Sequence, residues 1–156
     1  MQAAYEAYME NLAPPDWFYP FVGEVASKTA TLELCMTEAA LALIGSKMDP
    51  YQMIKNTGSM LVLIDLAGDI HDERFDRLVA PFNRARGDRN KIVHALLHWQ
   101  ESDGFDSDYW LQKHPRSGAE TRLPASAPPK SMTDALQNIK NITKAAFELT
   151  EAVNAR

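Results

Sequence analysis

The residues best suited to chemistry lie in one short stretch, Gly87-Asp88-Arg89-Asn90-Lys91-Ile92-Val93-His94, where a guanidinium, an amide and an imidazole fall within six positions. Histidine exchanges protons near neutral pH, and an arginine that never loses its charge can neutralise charge growing on a phosphoryl group. Arg89, Asn90 and His94 are therefore the candidate catalytic set. Arg84, Arg86 and Lys91 are the neighbouring candidates for holding a nucleic-acid backbone. Asp88 resembles a helix N-cap, which predicts a helix from Arg89 to about Gln100 and places the set at a helix start, where the dipole favours anions. On such a helix Arg89 and His94 stand about 140° apart. Either Arg89 occupies an irregular first turn, or a second copy completes the site.

Other residues invite other chemistry. His94 and His98 are four apart, hence on one helix face, and such a pair can ligate a metal if Asp65, Asp69, His71, Asp72 or Glu73 completes the shell. The Glu-x-x-His string of helical-bundle metal sites does not occur, and no metal or other cofactor is expected. Glu33 borders the apolar stripe of its helix; if buried it needs a cation, and Arg89 is one possibility. Cys35 falls among apolar helix positions with no basic neighbour, so it reads as a core residue rather than a nucleophile. Trp17, Trp99 and Trp110 can stack on bases or fill a core.

The elements that position these residues follow from periodicity. Val22, Val25, Ala26, Thr29, Leu32, Met36, Ala39, Ala40 and Leu43 recur at steps of three and four, which predicts a long helix stopped by Gly45. Asp49 and Pro50 open a second helix, expected to run to about Gly68 and to be central. A third segment starts near Asp72 and reaches a break at Gly87, with Pro81 kinking or restarting it. The last helix starts at Ser131, with Asp134 completing a capping box, and continues through Met132, Ala135, Leu136, Ile139, Ile142, Ala146, Leu149 and Val153. Between residues 101 and 130, six Gly and Pro positions exclude a helix. Asp108 to Lys113 and Glu120 to Leu123 can pair there as a hairpin across the turn-prone HPRSG. Residues 1–20 read as a short helix followed by a packed arm. The expectation is one all-α domain over residues 1–156, an antiparallel bundle of four to five helices with a small loop or β-hairpin insert before the last helix.

Composition narrows the class of protein. The chain of 156 residues is 46% hydrophobic and 24% charged, a globular profile. Its net charge of −5 and isoelectric point near 5.3 disfavour bulk attraction to nucleic acid. The charge is uneven, however. From Arg74 to Lys91 the basic residues exceed the acidic ones by four, so the remainder carries −9. One cysteine excludes a disulfide within the chain. With no basic-then-apolar leader at the start and no apolar run approaching ~20 residues, a cytoplasmic protein without membrane contact is expected.

The pattern Arg-Asn-x-x-x-His, here RNKIVH, late in an all-α chain and before a long final helix, resembles the HEPN superfamily. In those helical bundles an R-x(4–6)-H motif often carries a polar residue directly after the arginine. The resemblance spans roughly Phe21 to Trp99 and the final helix; His94 is followed here by Ala95, where many bacterial members have glycine. It implies a metal-independent endoribonuclease, toxin-like or defence-like. His94 would act as general base or acid, Arg89 would neutralise the phosphorane, Asn90 would position either, and the products would carry 2′,3′-cyclic phosphate ends. It equally implies the catalytically inactive alternative, a nucleotide-binding or protein-interaction module. The partners implied are RNA or a nucleotide, a second copy forming a homodimer with paired motifs lining a cleft, and an antitoxin in a toxin–antitoxin pair.

Overall fold

In the computed structural model, residues 1–3, 14–94, 96–100, 109–113, 118 and 120–156 are described. The order of elements is α1 (Phe18–Ile44), α2 (Pro50–Ile54), α3 (Thr57–Gly68), α4 (Glu73–His94), β1 (Leu96–Gln100), β2 (Tyr109–Lys113), β3 (Glu120–Leu123) and α5 (Lys130–Asn154). The all-α class with an inserted hairpin before the last helix is what forms, and the insert extends to three strands.

α1 buries the predicted stripe. Val25, Leu32, Met36, Ala39 and Ala40 are sealed, and the chain leaves the helix through Gly45 at φ 71°, the left-handed conformation that glycine adopts without penalty. The expected arm at residues 17–20 is instead the first turn of α1. Pro20 fits there because the first-turn N–H groups have no helical partner. The short helix expected before it falls largely on residues 4–13, outside the described residues.

The expected helix from Pro50 to Gly68 divides in two. Asp49 caps α2 as predicted, accepting from Tyr51 N at 3.0 Å. Asn56 then caps a new helix, its Oδ1 accepting from Gly58 N at 2.9 Å and Ser59 N at 3.3 Å. A side chain that satisfies two amides starts α3 more strongly than the periodicity can continue α2.

α4 overturns two boundaries. It passes without interruption through Pro81, Gly87 and Asp88, because Phe75, Phe82, Ala85 and Ile92 anchor one face of it in the core on both sides of the glycine. Asp88 is no cap; its carboxylate lies 3.7 Å from Lys91 Nζ, one turn along. The helix ends at His94, and residues 96–100, expected to be helical, form β1. This strand pairs antiparallel with β2 in a register that sets Trp99 opposite Trp110, and β2 pairs with β3. Pairing with a partner strand overrides the ambiguous local pattern of a short apolar run. The predicted hairpin strands match β2 and β3; the HPRSG turn between them lies outside the described residues except for Gly118.

The meander is fixed to the bundle at its end. Leu123 is completely buried, and Trp17 Nε1 donates to Pro124 O at 2.9 Å. α5 starts at Lys130 without a side-chain cap, so the predicted Ser131 capping box does not form. Asp134 is taken by Lys130 Nζ at 2.5 Å.

α1 and α5 run in the same direction. Glu24 in the first turns of α1 meets Lys140 in the first half of α5 at 2.8 Å, while Glu38 and Leu41 lie beside Phe147 and Glu151 near their ends. α4 runs opposite to α5, since Arg74 and Leu78 at its start border Glu148 and Ala152. The end of α4, the meander and the starts of α1 and α5 therefore share one end of the molecule. No helix among the described residues is long and apolar enough to cross a membrane.

Candidate active site at the end of α4

The candidate catalytic residues occupy the last turns of α4 rather than a helix start. Here the helix presents unsatisfied carbonyls and the negative end of its dipole. Attraction for an anion must therefore come from side chains.

Asn90 and His94 are one turn apart on a common face. Arg89 projects about 140° from His94 around the axis, yet its long side chain wraps back. Its Nη1 donates to Asn90 Oδ1 at 2.9 Å and lies 3.1 Å from His94 Nε2. Neither an irregular turn nor a second copy is needed to bring the three together. A guanidinium only donates, so in this contact Nε2 accepts and the imidazole proton resides on Nδ1. Both Nη1 hydrogens are thereby used. Nη2 and Nε of Arg89 have no protein acceptor among the described residues. His94 and Asn90 are exposed and Arg89 is half-buried, so the trio opens to solvent.

The basic segment is largely neutralised within the chain. Arg74 pairs with Asp72 at 2.6 Å, Arg77 with Glu73 at 3.1 Å, Arg86 with Glu33 at 3.1 Å and Lys91 with Asp88 at 3.7 Å. Arg84 and Arg89 alone in that segment have no carboxylate partner among the described residues. Of the three candidate backbone-binding residues, Arg84 is exposed and uncommitted, Lys91 is exposed and weakly engaged, and Arg86 is tied down. Its guanidinium lies against Glu33 and 5.7 Å from the centre of the Phe82 ring. Glu33 thus has the cation it requires, one helical turn before the expected Arg89. The sequence could supply the need but not choose between two arginines three residues apart.

The rival chemistries lose their geometry. His98 is on β1, so it does not share a helix face with His94, and no group of three or more metal-binding side chains occurs among the described residues. Cys35 is buried, and burial, with a smaller contribution from Glu38, pushes its thiol above the ordinary value. Trp17 packs edge-on against Phe18 and Phe21, with ring centres 5.8 and 6.1 Å away, and so serves the core. Asp72, considered as a metal ligand, accepts from Arg74 N at 3.0 Å and from the Arg74 guanidinium, whose hydrogen bond holds the carboxyl down to about 2. It caps α4.

Compared with family models, with curated proteins and with solved structures, the chain finds no match.

Proposed function

We propose that this chain is a HEPN-like metal-independent endoribonuclease, toxin-like or defence-like, working through Arg89, Asn90 and His94. The observation that carries the reading is the solvent-facing contact of Arg89 with both Asn90 and His94 within one chain. Nη2 and Nε of Arg89 point no hydrogen at any described protein acceptor, and two parallel N–H groups match two phosphate oxygens. For His94 to act, Nη1 of Arg89 has to swing off Nε2 as Nη2 and Nε engage an RNA phosphate, and the freed Nε2 then accepts the proton of the adjacent 2′-hydroxyl. The 2′-oxygen then attacks phosphorus, the bond to the 5′-oxygen breaks, and that oxygen regains a proton from the imidazolium or from water. The products are a 2′,3′-cyclic phosphate and a 5′-hydroxyl. Arg89 offsets the charge of the five-coordinate phosphorus, and Asn90 keeps Arg89 in reach. A homodimer and a neutralising protein partner belong to the same reading. Since Arg89 and His94 meet within one chain, neither has to supply a reacting group.

The test incubates the purified chain with a mixed pool of structured and single-stranded RNAs in excess chelator, beside His94→Ala. Cleavage that leaves cyclic-phosphate ends and is reduced at least about 100-fold in the variant is expected. Because His94 is exposed, the melting temperature should not move. No cleavage by either protein, with the melting temperature unchanged, would transfer the assignment to a catalytically inactive nucleotide-binding or protein-interaction module.

A further inference from the structure

Arg89 leaves α4 on the side that faces the bundle. It follows the completely buried Phe75 and Phe82 at steps of seven residues, which return a helix to nearly the same side. Arg86 stands three residues earlier and about 60° around the axis, so the two arginines are neighbours on one side of the helix. From α1, Glu33 meets this side and Arg86 holds it. Nε of Arg86 donates to Oε1 of Glu33 at 3.1 Å, with the two side chains only 21% and 30% exposed.

The same carboxylate is within range of Arg89. Three residues of helix rise about 4.5 Å, which an arginine side chain spans. If Glu33 were vacant, the competition for Arg89 would have a clear winner. Nη1 of Arg89 serves two neutral acceptors, Asn90 Oδ1 at 2.9 Å and His94 Nε2 at 3.1 Å, and its Nη2 and Nε have no protein acceptor among the described residues. A carboxylate accepts two parallel N–H groups at once, and such charge-assisted bonds are about twice as strong as neutral ones. A half-buried carboxylate without a cation is costly too, which adds to the pull. The contact between Arg89 and His94 therefore persists because Glu33 is already taken, and because the charge of Arg86 repels a second guanidinium from it. We infer that Arg86 is a positioning residue: by occupying Glu33 it keeps Arg89 on Asn90 and His94. Arg86 thus acts one step removed from any phosphate. Its consequence for RNA cleavage rests on the ribonuclease reading, whereas the placement of Arg89 does not.

The test reads the tautomer of the His94 ring by nitrogen-15 shifts, in the full chain at neutral pH and without RNA. The wild type is expected to show Nδ1–H, and Arg86→Met to show Nε2–H because Arg89 has moved to Glu33. Adding Glu33→Gln to Arg86→Met removes the competing carboxylate and should restore Nδ1–H, and Arg86→Lys, which keeps the charge, should never lose it. Arg86→Gln hydrogen-bonds Glu33 without cancelling its charge; it should behave as Arg86→Met and replaces that variant if it does not fold. In chelator, Arg86→Met should cleave RNA at least about tenfold more slowly than wild type, with most of the loss recovered in the double variant, as coupled neighbours require. An Nδ1–H ring in Arg86→Met and Arg86→Gln would overturn the inference, as would an Nε2–H ring in the wild type or in the double variant. A wild type that cleaves no RNA while the ring pattern holds removes the ribonuclease reading and leaves the placement of Arg89 by Arg86 standing.

Discussion

At the scale of single residues, the contact between Arg89 and His94 makes a statement about one proton. Since the guanidinium donates to Nε2, nitrogen-15 shifts of His94 in the unliganded protein at neutral pH are expected to show the Nδ1–H tautomer. Replacing Arg89 with Met should return the ring to the Nε2–H form that neutral imidazole prefers. An unchanged tautomer in the variant would show that the contact does not govern the ring. A second residue-scale prediction concerns Asp72. Its folded-state carboxyl is lowered from 3.8 to about 2 by Arg74. The stabilisation it contributes is therefore fully present above about pH 4 and lost as pH falls through about 2. Asp72→Ala should cost about 1 kcal/mol at pH 7, the usual worth of an N-cap. The difference from wild type should vanish when denaturant melts are repeated towards pH 2.

At the scale of elements, the continuity of α4 has a direct test at Gly87. It lies inside the helix, and a β-carbon built on it meets nothing within 4 Å. Gly87→Ala should stabilise the protein by about 0.5–1 kcal/mol, seen as a higher melting temperature. A loss of stability would mean the helix does break there. The anchoring of the meander is tested at Leu123, completely buried at the end of β3. Leu123→Ala is expected to cost about 2–5 kcal/mol and to raise amide exchange throughout the three strands.

The same elements show what was legible in the sequence. α1 and its Gly45 exit, the Asp49 cap and the two strands β2 and β3 could all be read, because each depends on a local signal: a period, a cap or a paired run beside turn residues. Three boundaries could not. Leu96 to Gln100 suits a helix or a strand until β2 lies beside it. Gly87-Asp88 resembles a stop until burial of Ala85 and Ile92 carries the helix through. Asn56 is an ordinary polar residue until its side chain meets Gly58 and Ser59. At the site, Arg89, Asn90 and His94 were recognisable as a set from residue type and spacing. How they meet was not, because it depends on Arg89 reaching around the helix.

At the scale of the whole molecule, the negative net charge shapes any encounter with RNA. Four of the six basic side chains between Arg74 and Lys91 are ion-paired, which leaves Arg89 and Arg84, with the loosely held Lys91, to meet phosphate. Contacts with about three phosphates of a single strand predict a shallow salt dependence, with log K falling with log [salt] at a slope near −2. A slope several times steeper would demand a basic surface larger than α4 provides. The shared direction of α1 and α5 bears on a different property, resistance to load. Phe18 and Asn154 lie at opposite ends of two helices packed side by side, so a force applied between them slides one helix along the other. Every interhelical contact, the Glu24–Lys140 pair among them, then carries the load together, instead of opening one after another as in a peeled hairpin. Stretched between its ends in an optical trap, the bundle should yield abruptly and at higher force than when pulled between Phe18 and Lys130, which sit together at the same end and would be peeled apart.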